Sequence, residues 1–216
     1  MFKRKLTSGD YFLIAANLVP VFGAIFLNWD PEEVFIVYCL ETIIVGLVNL
    51  LKMAIVTLVR PVHDWPNRGN VTKQHGLFFM FFFIAHYGIF ASVQMSIFFG
   101  VSGIGDGHNI SLFNFFVKWP NLISKGSLIM IIAFAICYTI KMIFDFILSN
   151  EYRTISLMRL MFQPYGRIFI QQVAVILGSM GLLLGGGTAF LIVFACIKIF
   201  FEMRVNFEGM LKRELS

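Results

Sequence analysis

Residues 30–59, DPEEVFIVYCLETIIVGLVNLLKMAIVTLV, decide the fold class. The stretch opens with an aspartate that can cap a helix, a proline suited to the first helical position, and two acids that face the positive end of the helix dipole. The apolar run at 32–59 exceeds the roughly twenty helical residues that cross a hydrocarbon core. A transmembrane helix is therefore predicted there.

The rest of the chain has the same character. Of its 216 residues, 58% are hydrophobic and 13% are charged, and the mean hydropathy is +0.82, whereas about a quarter of the residues of a soluble domain are charged. The other apolar segments lie near 11–28, 76–100, 126–149, 168–184 and 187–203. These segments predict an all-α fold, a polytopic integral membrane bundle of six transmembrane helices that forms one domain over residues 1–216. A further segment near 109–119 is expected to lie along the outer membrane interface.

Basic residues in the loops predict the orientation. The side that carries both termini holds Lys3, Arg4, Lys5, Arg60, Arg68, Lys73, Arg153, Arg159, Arg167, Arg204, Lys212 and Arg213, whereas the other holds Lys118 and Lys125. By the positive-inside rule, both termini are cytoplasmic. Because the net charge of +5 is spread over short loops, no nucleic-acid partner is expected. The three cysteines lie in apolar spans without metal-ligand spacing, so no disulfide, metal or other cofactor is predicted.

Polar residues within the spans are the candidate functional residues, because a charge at membrane depth is costly unless it is paired or hydrated. In the second span, Glu41, Asn49 and Lys52 fall within one quadrant of the helix, as does Tyr38, so this stripe is expected to face protein. The binding or polar-core set is Glu41, Asn49, Lys52, His86, Gln94, Lys141, Asp145, Gln171, Gln172, Lys198 and Glu202, with Tyr165 and Arg167 in a cytoplasmic loop beside it.

Several of these residues have a simpler structural interpretation. Lys52, Lys141 and Lys198 lie towards the cytoplasmic ends of their helices, where they either form a cationic mouth or extend to the lipid headgroups. Asp145 and Glu202, each four residues after a lysine, are expected to be structural pairing partners.

Glu41 and His86 are harder to explain in this way. Glu41 is short and deep, so it is expected to be buried with a partner, either His86 or Lys52. A lone histidine such as His86 is more often a hydrogen-bonded core residue than a metal ligand.

Known enzyme signatures are absent. Gly178-Ser179-Met180-Gly181 places its serine one position earlier than the rhomboid protease motif does, and the sixth span has no histidine to act as a base. The sequence also lacks HExxH, a Walker loop and a dinucleotide-binding turn. No catalytic residue is predicted. An intramembrane enzyme or metalloprotein that uses Glu41, His86 and Asp145 remains an alternative.

Three stretches carry a family resemblance: YCLETIIVGLVNLLKM at 38–53, FFIAHYGIFASVQMSIFF at 82–99 and PYGRIFIQQVAVILG at 164–178. Together they resemble a family of small multi-spanning prokaryotic membrane proteins that is catalogued only as a domain of unknown function. The resemblance implies a multi-pass protein of the prokaryotic inner (cytoplasmic) membrane. It also implies that His86 remains from a larger histidine set, with glutamines at Gln94 and at Gln171 or Gln172, which weakens a metal hypothesis.

The function expected from the sequence is binding through the inward polar faces. The expected partners are the lipid bilayer and either a small polar ligand, a lipid headgroup, a second copy of the chain or another membrane protein. Transport is one use of such a module, with Glu41 and His86 as its central hydrogen-bonded or proton-accepting pair. An accessory subunit of a membrane complex is the structural alternative.

Overall fold

The computed structural model describes residues 29–67, 70–102 and 112–166, together with positions 18, 22, 23, 26, 168, 169, 172 and 173. Within this part of the chain, three helical segments are long and apolar enough to cross a membrane: Ile36–Val59, Gly76–Ile97 and Lys125–Leu148. They coincide with the second, third and fourth predicted spans and have the composition of membrane-protein helices. The predicted spans 11–28, 168–184 and 187–203 lie wholly or mostly outside the described residues.

The described elements follow a simple order along the chain. They are α1 (Pro31–Val59), β1 (Val62–Asn67), β2 (Asn70–His75), α2 (Gly76–Ser102), α3 (Leu112–Lys118) with a 3-10 turn at Trp119–Leu122, α4 (Lys125–Met142) continued by a π-helical turn at Ile143–Leu148, a 3-10 turn at Glu151–Arg153, and α5 (Leu157–Phe162).

Helices α1 and α4 begin side by side, and Glu33 ties their starts together. Its carboxylate Oε2 accepts hydrogen bonds from the backbone N–H of Ser124 at 2.9 Å and from the hydroxyl of Ser127 at 2.7 Å. Ser124 also caps α4, because its hydroxyl oxygen accepts from the backbone N–H of Ser127 at 3.3 Å. A carboxylate is favourable at the positive end of a helix, so one acid of the Asp-Pro-Glu-Glu start stabilises two helices.

Helix α2 returns antiparallel along α1. Gly76 at its start lies against the side chain of Thr57, and further along Tyr87 lies against Gly46. The Tyr87 hydroxyl also donates to the backbone carbonyl of Thr42 at 2.8 Å. Residue 87 of α2 is therefore approximately level with residue 46 of α1, and this pairing relates the depths of the polar residues on the two helices.

The Gly46→Ala variant is expected to destabilise the contact between α1 and α2. A Cβ atom at position 46 would lie 2.5 Å from Cε1 of Tyr87, whose hydroxyl is held by its hydrogen bond. Overpacking of this kind costs about 1–3 kcal/mol, measurable as a lower free energy of unfolding in a detergent titration. Gly88→Ala is the matched control, because a Cβ atom there meets nothing within 4 Å. Equal losses in the two variants would contradict this contact.

The described residues are mostly helical, as predicted, but a two-stranded antiparallel hairpin that the sequence did not predict joins α1 to α2. Strands β1 and β2 pair from Val62 opposite His75 to Asn67 opposite Asn70. Residues 60–75 are mostly polar and include two prolines, a composition typical of loops, and this is why no strand is predicted there. The end of the bundle that carries β1 and β2 is called the hairpin end below.

The inner face of the hairpin packs on the first turns of α2. His63 is buried, with its ring centroid 6.0 Å from that of Phe79, and the Trp65 ring lies 5.4 Å from Phe79 and 5.8 Å from Phe82. Burial lowers the pKa of His63, against the opposing effect of a hydrogen bond to the backbone of Arg60. The hairpin is therefore packed against α2 by a buried histidine and a tryptophan.

The outer segment predicted near 109–119 contains a short helix, α3, at Leu112–Lys118. Phe115 of this helix is buried, and its ring centroid lies 5.2 Å from that of Phe99 on α2. The segment thus packs on the bundle through an aromatic contact. Residues 109–111 lie outside the described residues.

Candidate functional site

The polar stripe of α1 faces protein. Tyr38, Glu41 and Asn49 are 0%, 1% and 5% exposed, and Lys52 is half-buried. Since the opposite face of α1 exposes Leu47 and Leu51, the polar groups point into the bundle and the leucines point outward.

Glu41 lies in a buried polar cluster shared by α1, α2 and α4. The hydroxyl of Tyr138 donates to its carboxylate Oε1 at 2.5 Å. Beside it, the Thr42 hydroxyl lies 3.5 Å from Oε1 of Gln94, whose Nε2 is 4.0 Å from the Cys39 sulfur. These five residues are all buried and are called the Glu41 cluster.

The helix that begins with α5 is broken at a proline. Ser156 caps α5, its hydroxyl oxygen accepting from the backbone N–H of Arg159 at 3.1 Å. The helix ends at Phe162, yet residues 165 and 166 are helical again, and the N–H of Ile168 donates to the carbonyl of Pro164 at 3.1 Å in the helical i to i−4 pattern. The chain therefore resumes helical bonding immediately after Pro164.

Asn49 satisfies a carbonyl that this break leaves without its helical donor. In a continuous helix the residue at 164 would donate to the carbonyl of Leu160, but proline has no N–H. The side-chain Nδ2 of Asn49 donates to that carbonyl at 3.0 Å, and the N–H of Gln163 makes a longer bond to it at 3.3 Å. An amide from a neighbouring helix thus replaces much of the missing backbone bond, as broken membrane helices require.

The break lies near the middle of the spans. Asn49 is the fourteenth of the 24 residues of Ile36–Val59. The segment that precedes α5 is anchored at the hairpin end, where the Arg60 guanidinium donates to the backbone carbonyls of Tyr152 and Ile155. Helix α5 consequently runs from the hairpin end into the interior of the bundle.

His86 meets the broken helix through Tyr165. Its Nδ1 lies 2.7 Å from the Tyr165 hydroxyl, and His86 is the eleventh of the 22 residues of Gly76–Ile97. Besides His86 at 5.2 Å, the Tyr165 ring has the centroids of Phe83, Tyr87, Phe90 and Phe162 within 5.7–6.4 Å. Tyr165 and these five residues are called the Tyr165 cluster.

The structure gives Glu41 and His86 different partners at different depths. His86 is approximately level with residue 47 of α1, six residues from Glu41, which corresponds to about 9 Å along the helix axis. Glu41 bonds to Tyr138 and His86 bonds to Tyr165. Asp145 is exposed on α4, so the described structure does not bring together the three residues of the enzyme alternative.

Tyr165 is placed differently from the sequence expectation of a loop before a span that starts at 168. The helix starts at Leu157 instead, because Ser156 caps it and Leu157 and Leu160 are fully buried. Gln172 is described and half-buried, and its Oε1 atom is buried. The remaining predicted residues, Arg167, Gln171, Lys198 and Glu202, lie outside the described residues.

The fourth span ends in a π-helical turn at Ile143–Leu148. Phe146 of this turn is buried, and the Lys52 Nζ atom lies 5.4 Å from its ring centroid. The pairing of Lys141 with Asp145 stays a prediction. Lys52 and Lys141 are both half-buried.

Sequence reasoning missed two residues of this site. Tyr138 carries no charge that would distinguish it within a span, and the composition around Pro164 is typical of a loop. The feature that could have indicated a broken helix at Pro164 is the apolar run before this proline, combined with Asn49 in a neighbouring span. In the described part of the chain, no three His, Cys, Asp or Glu residues converge as a metal site.

A family model described as "Family of unknown function (DUF6498)" matches residues 1–215. No curated protein matches the chain, and no solved structure matches it.

Proposed function

We propose that this chain, which belongs to the DUF6498 family of unknown function, is an integral membrane module that binds a small polar ligand between α1, α2 and the broken helix. Transport is the activity that such a site would serve. The ligand would lie beside the Tyr165 cluster, with the Glu41 cluster as a second polar layer towards the start of α1.

The full architecture in this proposal has six spans in a prokaryotic inner membrane, with both termini cytoplasmic. Two observations support this architecture. Basic loop residues are in strong excess on one side, and the three described helices coincide with the second, third and fourth predicted spans. In this arrangement the hairpin end is cytoplasmic. Lys52, Lys141 and Lys198 would form its cationic mouth, balanced by Asp145 and Glu202.

The observation that carries the proposal is the break at Pro164 at the level of Asn49 and His86. Irregular backbone at membrane depth persists only where it is buried in protein or lines a water-filled cavity. Interrupted helices near the bilayer midplane are where many transporters bind their substrates, because the break presents backbone and side-chain polar groups there.

The test is ligand-dependent thermal stability of the purified protein in lipid nanodiscs. Zwitterionic amino acids, ammonium ions, carboxylates and sugars are added in separate titrations. We expect one class to raise Tm in a concentration-dependent way, since a ligand that binds only the folded state stabilises it by mass action. Uptake of a radiolabelled member of that class into proteoliposomes then tests transport.

Two variants localise the effect. Tyr165→Phe keeps the ring but removes the hydroxyl that bonds His86, so it should weaken the stabilisation. Tyr152→Phe is the matched control, because the Tyr152 hydroxyl accepts a bond from exposed Arg153 and the Tyr152 backbone is bonded to Arg60 at the hairpin end. A protein that no class stabilises, or an unchanged response in Tyr165→Phe, would overturn the proposal. If one phospholipid alone stabilises the protein, the site binds a lipid headgroup and not a free solute.

A further inference from the structure

We infer that His63 is a pH-sensitive switch: the neutral ring holds the β1–β2 hairpin against α2, and a proton on the ring releases the hairpin. The inference goes beyond the proposed function, because it concerns the hairpin end and does not require a ligand. It follows from the burial of His63, from a ring nitrogen that has no partner, and from the arginine whose backbone the ring bonds.

His63 is buried between the hairpin and α2. It is 8% exposed, whereas His75 at the end of β2 is exposed. The ring of His63 stands edge-on to Phe79 of α2, with 6.0 Å between the ring centroids, and Trp65 packs on the same phenylalanine at 5.4 Å. A charged ring in this position would lose its hydration to an apolar surface.

The two ring nitrogens of His63 have different surroundings. The ring bonds the backbone of Arg60, whereas its Nε2 atom is buried and has no hydrogen-bond partner in the part of the chain that the structure describes. In the neutral ring that donates through its other nitrogen, Nε2 carries only a lone pair. Protonation would place an N–H there without an acceptor, and a buried donor without a partner destabilises the packed state.

The charges around His63 favour the neutral ring on balance. Arg60 at the end of α1 and His75 on β2 oppose a further positive charge, whereas Asp64 on the same strand favours one. The first two turns of α2 contribute no ionisable side chain, and α5, which also contacts β1, carries the cation Arg159. Burial is the largest cause of the lowered pKa of His63, and the bond to the Arg60 backbone opposes it.

Arg60 connects the switch to a second segment of the chain. Its guanidinium donates to the backbone carbonyls of Tyr152 and Ile155, which precede α5, while its backbone bonds the ring of His63. A proton on His63 would therefore add a positive charge near the cation that anchors this segment, and like charges repel. We expect acid to loosen the segment before α5 together with the hairpin.

Proton linkage gives the direction of the pH dependence. Because the pKa of His63 is lowered in the packed state, the released state binds the proton more strongly. The contact is therefore complete above the ordinary histidine pKa of about 6.5 and weakens as the pH falls below it. The equilibrium constant for release should rise by up to about tenfold per pH unit and level off below the lowered pKa of the packed ring.

Distances between two spin labels test this behaviour in the full chain. The labels are placed at exposed Val71 on the hairpin and exposed Ile89 on α2, with the native cysteines replaced by alanine, in nanodiscs of phosphatidylcholine. We expect one narrow distance population at about pH 8 and a second, broader one that grows towards about pH 5, the range in which histidine changes charge. A single population throughout this range would overturn the inference.

The His63→Phe variant assigns the response to one ring. Phenylalanine keeps an aromatic contact with Phe79 but cannot take a proton, so this variant should show the narrow population at every pH. His75→Gln is the matched control, because His75 is an exposed histidine of the same hairpin, and it should still respond to acid. A response that persists in His63→Phe, or that disappears in His75→Gln, would refute the assignment.

The Asp64→Asn variant separates a switch from a purely structural contact, and it remains informative if His63→Phe does not fold. Asp64 is exposed and lies opposite Lys73 in the hairpin, and its charge favours the protonated ring. Its removal should lower the pKa of the packed ring further. The released population should therefore grow near pH 5 and stay unchanged near pH 8. Equal loosening at both pH values would contradict proton-dependent release.

Discussion

The Asn49→Leu variant is expected to lose about 1–3 kcal/mol of its free energy of unfolding, the cost of leaving a buried backbone acceptor poorly satisfied. Leucine fills the same space but cannot donate to the Leu160 carbonyl, which receives the Asn49 Nδ2 bond at 3.0 Å. Because Pro164 removes the helical donor as well, only the longer bond from Gln163 remains. Detergent-titrated unfolding monitored by tryptophan fluorescence measures the loss.

A double-mutant cycle with Pro164→Ala identifies the cause. The alanine variant regains a backbone N–H at position 164, and this can bond the Leu160 carbonyl as in an ordinary helix. Asn49→Leu should therefore cost much less in the Pro164→Ala background than in the wild type. Additive effects of the two substitutions would show that Asn49 stabilises the protein by some means other than repairing the break.

The Tyr138→Phe variant is expected to cost about 1.5–3 kcal/mol, the range for hydrogen bonds to charged groups. It deletes the hydroxyl that donates to Glu41 at 2.5 Å while keeping the ring in the core. The Glu41→Leu/Tyr138→Phe double variant should lose less free energy of unfolding than the sum of the losses in the two single variants. When both partners are apolar, no buried hydroxyl or carboxylate is left without its hydrogen-bond partner. Tyr152→Phe, which removes a hydroxyl that accepts a bond from exposed Arg153, is the control. A Tyr138→Phe protein as stable as this control would show that the bond to Glu41 contributes little.

The sequence predicts the three spans that the structure describes, because such helices depend on length and composition. The predicted spans 32–59, 76–100 and 126–149 correspond to helices at Pro31–Val59, Gly76–Ser102 and Lys125–Met142 with its π-helical turn to Leu148. No tertiary contact is needed to recognise a run that is apolar for twenty residues. The inward direction of the α1 stripe is equally predictable, because helical periodicity alone places Glu41 and Asn49 together.

The site is less predictable because its contacts join distant parts of the chain. The bond from Asn49 to Leu160 crosses 111 residues, and the one from Tyr138 to Glu41 crosses 97. Local patterns identify Asn49, Glu41 and His86 as unusual but cannot choose their partners. The residue types near Pro164 indicate a loop. A broken helix is possible there because the side chain of Asn49 on α1 donates to the Leu160 carbonyl.

The depth of the broken helix in the membrane is the measurement that tests the proposed site most directly. Single spin labels are placed at exposed Ile89 on α2, exposed Phe169 beyond the break and exposed Val71 on the hairpin, with the native cysteines replaced by alanine. Oxygen and nickel-chelate accessibility in nanodiscs should place the first two labels within roughly one helical turn, about 5 Å, of the same depth and near the bilayer centre, with Val71 at the surface. A label at 169 as shallow as the label at 71 would contradict a break at mid-membrane and the binding site proposed beside it.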